Sequence, residues 1–347
     1  MAERKIQIDY GPVLDGPGKA KIDNVSGIAV GAGYLWTVAD EGFSFERLQR
    51  DGDTFAKAAT FDLAEFFTDY PPPGEDESDL EGLAFDGNRL WMTGSHALVR
   101  KKYDKRRTDK LLGGDRLDRE TARTLLGFVE IAPDGTPVAN SGCHLPLDEA
   151  EDSLLAAIGR DWKELGRAVK RPAKENGLDI EGIAVTGQRV FLGLRGPVLG
   201  PYSIVLEIEV AVAGRSLEIV ERDGLRCRPH LIDTGGLGIR DLLQHPSGLV
   251  VLAGPTLDMD GPFELYLTRA PLDGWTTEPG AAREARFLME VPIPRQADAM
   301  GRLRGDRPEA ITLLDDGLLV VSERKRPGEE RSKTLLTADL LSVAGPT

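Results

Sequence analysis

Cysteine is scarce in this 347-residue chain: Cys143 and Cys227 are the two present. That excludes a cysteine-rich metal cluster or a disulfide framework, and the pair reads as separate thiols in a reducing compartment. Histidine is scarce as well, with four residues, so a zinc site is a poor expectation. No apolar run approaches the ~18 residues that a membrane span needs. The opening MAERKIQIDY lacks the hydrophobic stretch of an export signal, so a cytoplasmic chain off the membrane is expected. Positive charge is outweighed: 43 Lys and Arg face 57 Asp and Glu, a formal charge of −14. Generic nucleic-acid binding, which needs cations to displace counterions, is therefore disfavoured. Missing too are a P-loop, a dinucleotide fingerprint and a serine-nucleophile elbow. No nucleotide cofactor is expected, and kinase, dehydrogenase and serine-hydrolase chemistry are disfavoured.

What the chain does have is a phrase written more than once. DLEGLAFDGNRLWMTG at 79–94 returns as DIEGIAVTGQRVFLGL at 179–194. Framed without gaps on the Glu of the first copy, the anchors are Ser26, Glu81, Glu181, Asp241 and Glu309. Ten residues on stand Trp36, Trp91, Phe191, Val251 and Leu319. Self-similarity at this period signals an array or a propeller. Each copy holds two apolar runs around a tight turn such as Gly31-Ala32-Gly33 or Asp86-Gly87-Asn88, which is a hairpin signal. A second apolar pair follows, so each repeat supplies four strands, the make-up of a propeller blade.

The fifth copy provides three strands, and KIQIDY at 5–10 can supply the fourth, leaving no raw sheet edge. The expected fold is all-β: one five-bladed propeller over residues 1–347 whose N-terminal strand closes the last blade. A six-bladed ring stays open because the third anchor lies 100 residues after the second. Trp36, Trp91 and Phe191 are expected between blades, as core.

In a meandering blade the first strand starts, and the second ends, on one face. The long connections gather there, including insertions at 101–123 and 147–177, and binding sites favour such loop-rich faces. Leu154, Ile158, Trp162, Leu165 and Val169 recur at helical spacing, so an amphipathic helix packed over the ring is expected. The basic run Lys101, Lys102, Lys105, Arg106 and Arg107 reads as a solvated loop.

The anchors Glu81, Glu181, Asp241 and Glu309 enter their strands on this face, and Asp40, Ser95, His96, Arg195 and Glu323 leave theirs on it. Carboxylates crowded at a channel mouth repel one another and require compensation. Arg195, Arg240 and Arg307 can supply part of it. A hard cation, Ca²⁺ or Mg²⁺, suits the oxygens of Glu81, Glu181, Asp241, Glu309 and Glu323. A repeated Asp-x-Glu equally suits plain hydrogen bonding to a neighbouring blade's amides. His96 breaks the repeat, which makes it a candidate acid or base alongside Glu81 and Glu181. Arg195, Arg240, Arg307 and Asp40 are the candidate substrate contacts.

On the D-x-E-G-[IL]-A phrases at 79–84 and 179–184, NVSGIAV at 24–30 and LLVVSERK at 318–325, the chain resembles a bacterial family of propeller-type proteins. That family is catalogued as domain of unknown function 3616. More distantly it resembles the phytase-like, or esterase-like, propellers. The second resemblance implies hydrolysis of a phosphoester or ester in which a metal can assist. Carried over residue by residue, it points to Glu81, Glu181, Glu309 and Glu323. Ser26 in the first copy, and Asp241 without a following Gly in the fourth, depart from that pattern. Two functions stay open: a monomeric hydrolase taking a small molecule at the channel mouth, or a non-catalytic scaffold gripping a peptide or protein there.

Overall fold

Each copy of the repeated phrase folds as a β-hairpin. In the first, Gly31 pairs with Tyr34 across Ala32 and Gly33, both at positive φ (50° and 82°). That turn carries the right-handed twist of the flanking strands, and Gly33 takes its conformation without strain. The computed structural model describes residues 4–11, 24–75, 77–100, 117–147, 150–257, 259–269, 282–297, 303–323 and 334–342. The basic run at 101–107 lies outside them.

Four-stranded antiparallel sheets follow in order. Blade 1 holds Val25–Gly31, Tyr34–Ala39, Ser44–Asp51 and Thr54–Asp62. Blade 2 holds Leu80–Asp86, Arg89–Gly94, Leu126–Glu130 and Cys143–His144. Blade 3 holds Asp179–Thr186, Arg189–Leu199, Tyr202–Ala213 and Cys227–Asp233. Blade 4 holds Gly238–His245, Gly248–Gly254, Glu264–Thr268 and Ala285–Glu290. Blade 5 holds Arg307–Leu314, Gly317–Glu323, Leu335–Leu341 and, from the start of the chain, Arg4–Asp9. That last strand pairs antiparallel with Leu335–Leu341, Ile8 opposite Leu336. The first strand of every blade packs against the first strands of its two neighbours, and the circle closes from blade 5 to blade 1. The architecture is an all-β propeller. No helix among the described residues is long and apolar enough to cross a membrane.

The core is divided among the gaps between blades. Trp36 packs between blades 1 and 2, Trp91 between 2 and 3, and Phe191 between 3 and 4. Val250 packs between blades 4 and 5, and Leu319 between 5 and 1. All except Val250 are fully buried, and Val250 is 5% exposed. Truncating an aromatic ring in such a place costs about 3 to 5 kcal/mol.

These assignments correct the fourth copy of the repeat. The gapless frame puts Val251 beside Trp36, yet Val251 belongs to the cluster between blades 3 and 4, and Val250 is the equivalent residue. The true anchor of blade 4 is Arg240, and Asp241 occupies the position held by Gly27, Gly82 and Gly182 elsewhere. A one-residue slip exchanges the two faces of a strand, and the uninterrupted apolar run Leu249–Ala253 carries no alternation to expose it.

The amphipathic segment also differs from expectation. It forms two short helices, α1 (Leu154–Asp161) and α2 (Lys163–Ala168), broken at Trp162, whose backbone is extended (φ −132°, ψ 101°). The break lets the Trp162 indole donate to Cys227 O at 2.9 Å, while the Asp161 carboxylate accepts from the N–H groups of Arg226 and Cys227. Leu154, Leu155, Ile158, Leu165 and Val169 then fill the cluster between blades 2 and 3. The helices thereby pack against the seam between these two blades. Cys143 and Cys227 are both free and buried, in keeping with two separate thiols.

Candidate functional site

Every inner strand carries a register irregularity near its start. The unpaired residues are Ser26, Glu81, Glu181, Arg240 and Glu309. A bulge leaves one residue outside the ladder and re-aims its side chain. Here all five line one cavity of about 240 Å³ at the hub. Asp40, Arg195, Arg307 and Glu323 join them, with Asn24 and Lys174. The repeat therefore converges on the loop-rich mouth.

Below this cup the strands pinch together. A Cβ on Gly82 would stand 2.9 Å from Glu181 O, and one on Gly182 would stand 2.7 Å from Leu242 N. Beyond that waist Val30, Phe85, Val185, Leu243 and Leu313, with Gln244 and Thr312, border a second cavity of about 260 Å³.

Charge in the upper cup is unevenly compensated. The Arg240 guanidinium lies 3.0 Å from Glu181 and is also ion-paired to Glu309, its two neighbours around the ring. Arg195 bonds Asp179 and Glu181, each at 2.5 Å. Burial pushes the Glu181 carboxyl up, against the pull of Arg195 and Arg240. On the side of blades 1 and 2 there is less relief. No hydrogen bond or ion pair among the described residues reaches the Glu81 carboxyl. Burial, with Asp79, Glu181 and Asp179 nearby, raises it well above the usual range. Asp40 has a buried Oδ1 without a hydrogen-bond partner; burial first, then Asp79 and further carboxylates, lifts it to about 7.

Asp79 is held at φ +49° by Ser95 and by Arg123, the latter at 2.7 Å. Arg123 also pairs with Glu77 and Glu120. It comes from outside the repeat, and nothing in the spacing marks it.

Two expected site residues stand apart from the cavity. Asp241 is 1% exposed, and its oxygens accept the N–H groups of Leu242 at 2.8 Å and Ile311 at 2.7 Å. Where glycine lets neighbouring backbones touch, this carboxylate spans blades 4 and 5 instead. His96 is buried at φ +53° with Nδ1 3.0 Å from Gly94 O, and burial lowers its pKa to about 4. With its Nδ1 facing a backbone carbonyl, His96 is not part of the cavity lining.

The remaining residues do not form a cation cage. Glu181 and Glu309 are engaged by Arg240, and Asp241 by amides. Among the described residues no three His, Cys, Asp or Glu side chains are arranged to hold an ion. Ca²⁺ or Mg²⁺ at Glu181 or Glu309 would have to displace a guanidinium, so those two carboxylates do not fit a resident metal.

A family model described as Protein of unknown function (DUF3616) matches residues 24–339. The chain belongs to that family. Among curated proteins none matches this DUF3616 member. Solved structures similar to it include Kuenenia stuttgartiensis hydrazine synthase (11% identity, TM-score 0.36, covering 90% of this chain and 59% of that one). A second is a protein from Lactobacillus plantarum (16%, 0.38, covering 92% and 89%). A third is the PQQ-bound aldose sugar dehydrogenase of Streptomyces coelicolor (12%, 0.39, covering 97% and 99%). The DUF3616 chain thus spans under two thirds of the hydrazine synthase chain. In its own hub Glu81 and Asp40 line one cavity with Arg240.

Proposed function

We propose that this propeller hydrolyses a small ester or phosphoester in its hub cavity, with carboxyl groups moving the protons. The observation that carries the reading is that Glu81 and Asp40 line one cavity, neither held by a cation among the described residues, in surroundings that raise both. Carboxyl groups tuned upward in this way can serve as acid and base near neutral pH. Glu81, whose carboxyl is raised by burial and by the carboxylates around it, is the acid, and Asp40, ionised as pH rises past about 7, is the base. For a carboxylic ester, the water oxygen bonds the acyl carbon while Asp40 takes the water's proton. The bond from acyl carbon to leaving oxygen then breaks, and that oxygen takes the Glu81 proton. Solvent returns a proton to Glu81 and removes one from Asp40. Arg195 and Arg240 line the same cavity, each paired to carboxylates.

The test is hydrolysis of p-nitrophenyl acetate and p-nitrophenyl phosphate by the purified protein. Glu81→Gln and Asp40→Asn are each expected to lower kcat by about 100-fold or more, the usual worth of a positioned acid or base. Turnover no faster than buffer, or turnover indifferent to both substitutions, overturns the reading and leaves a non-catalytic scaffold.

A further inference from the structure

We propose that the substrate is a carboxylic ester with an apolar acyl chain, and that the chain lies against Leu257, Met259 and Phe263. This rests on the hydrolase reading and narrows its substrate class. The hub is built in layers, and blade 4 is the exception in two of them. Where the other blades place Asp40, Ser95, Arg195 and Glu323 at the end of the second strand, blade 4 has Gly254. Two residues before the anchors, where they place Asn24, Asp79, Asp179 and Arg307, it has Gly238. An added Cβ at Gly254 would sit 2.5 Å from the Phe263 ring, so the missing side chain is what admits that ring to the wall. Leu257 and Met259 continue the same wall and remain 44% and 58% exposed. One sector of an otherwise charged cup is thus apolar. It lies across the ring from blades 1 and 2, which carry Asp40 and Glu81. A molecule spanning the hub meets the acid and base at one end and hydrocarbon at the other. A phosphomonoester dianion suits this cup poorly, because Arg195 and Arg240 are already committed to carboxylates.

The experiment compares kcat/KM for p-nitrophenyl acetate, butyrate and phosphate. Butyrate should exceed acetate by roughly tenfold, the worth of two methylenes moved out of water. The ratio should fall towards one in the Leu257→Ser/Met259→Ser double variant, and also in Gly254→Ala, which displaces Phe263. It should persist in Val212→Ser, an exposed site on blade 3. Circular dichroism confirms that each variant is folded. Equal acetate and butyrate rates, a ratio unmoved by the double variant, or phosphate as the best substrate would overturn the inference and leave the hydrolase reading standing. No turnover of any of the three overturns both.

Discussion

Arg240 lies 3.0 Å from Glu181 and, through its other terminal nitrogen, also holds Glu309, so one guanidinium ties together the inner strands of three blades. Removing one partner of a buried ion pair leaves the other charge unsatisfied, at about 3 to 5 kcal/mol. Arg240→Met should lose that much in urea denaturation at pH 8. The loss should be smaller at pH 5, where a proton can neutralise Glu181. Arg240→Lys should recover part of it, since an ammonium cannot fork to two carboxylates in the same way.

Asp241 performs a different task one residue on. Asp241→Ala leaves the buried N–H groups of Leu242 and Ile311 without acceptors, a cost of about 2 to 4 kcal/mol. Asp241→Asn should fall between the two, because its carbonyl restores one acceptor and its NH₂ opposes the other amide. Equal stability of Asp241→Ala and the parent protein would show that the staple between blades 4 and 5 is dispensable.

At Gly182 the waist leaves no room for a side chain. Gly182→Ala places a methyl 2.7 Å from Leu242 N, against backbone that cannot swing away. Overpacking of this kind costs about 1 to 3 kcal/mol. A lowered melting temperature with unchanged far-ultraviolet dichroism is the expected signature.

Stability should decline as pH rises across the neutral range. A carboxyl whose folded pKa is raised takes up a proton on folding, so its contribution is greatest below the unfolded value and is lost as pH climbs to the folded one. For Asp40 that window runs from its ordinary 3.8 to about 7. Glu81 moves in the same direction. Denaturant midpoints at pH 5, 6, 7 and 8 should fall in that order. Glu81→Gln should flatten the slope and exceed the parent protein's stability at pH 8.

Added Ca²⁺ or Mg²⁺ should leave the melting temperature unchanged, and so should EDTA. A ligand bound only by the folded state must stabilise it by mass action. A rise with either ion would mean that carboxylates of the hub hold a metal after all.

The sequence exposed the repeat because core positions obey a strict offset. Trp36, Trp91, Phe191 and Leu319 all sit ten residues beyond their anchors, and all are buried between blades. The same logic misplaced blade 4 by one residue. There Asp241 stands in the glycine position, so the Gly that marks the register in other copies is gone. Most of the hub lining was legible, since Glu81, Glu181, Glu309 and Arg195 hold repeat positions. Arg123 was not, because it reaches Asp79 from a short 3-10 helix, Thr121–Thr124, that lies outside the repeat. Nor was the fate of His96: a residue that breaks a pattern invites a chemical role, and only its positive φ and its bond to Gly94 O reveal a structural one. Trp162 satisfies helical spacing while its backbone does not, since a bond to Cys227 O rewards the break.

Gln7 and Thr337 meet side by side although 330 residues separate them along the chain. During synthesis the strand at 4–9 emerges early and must wait for 335–341, its antiparallel partner, to leave the ribosome. Its other edge pairs with 54–56, but until then the edge facing 335–341 is open to any other extended segment nearby. Completion of the circle is therefore a late event in biogenesis, and the nascent, still-open chain is the form most exposed to mispairing with its own kind.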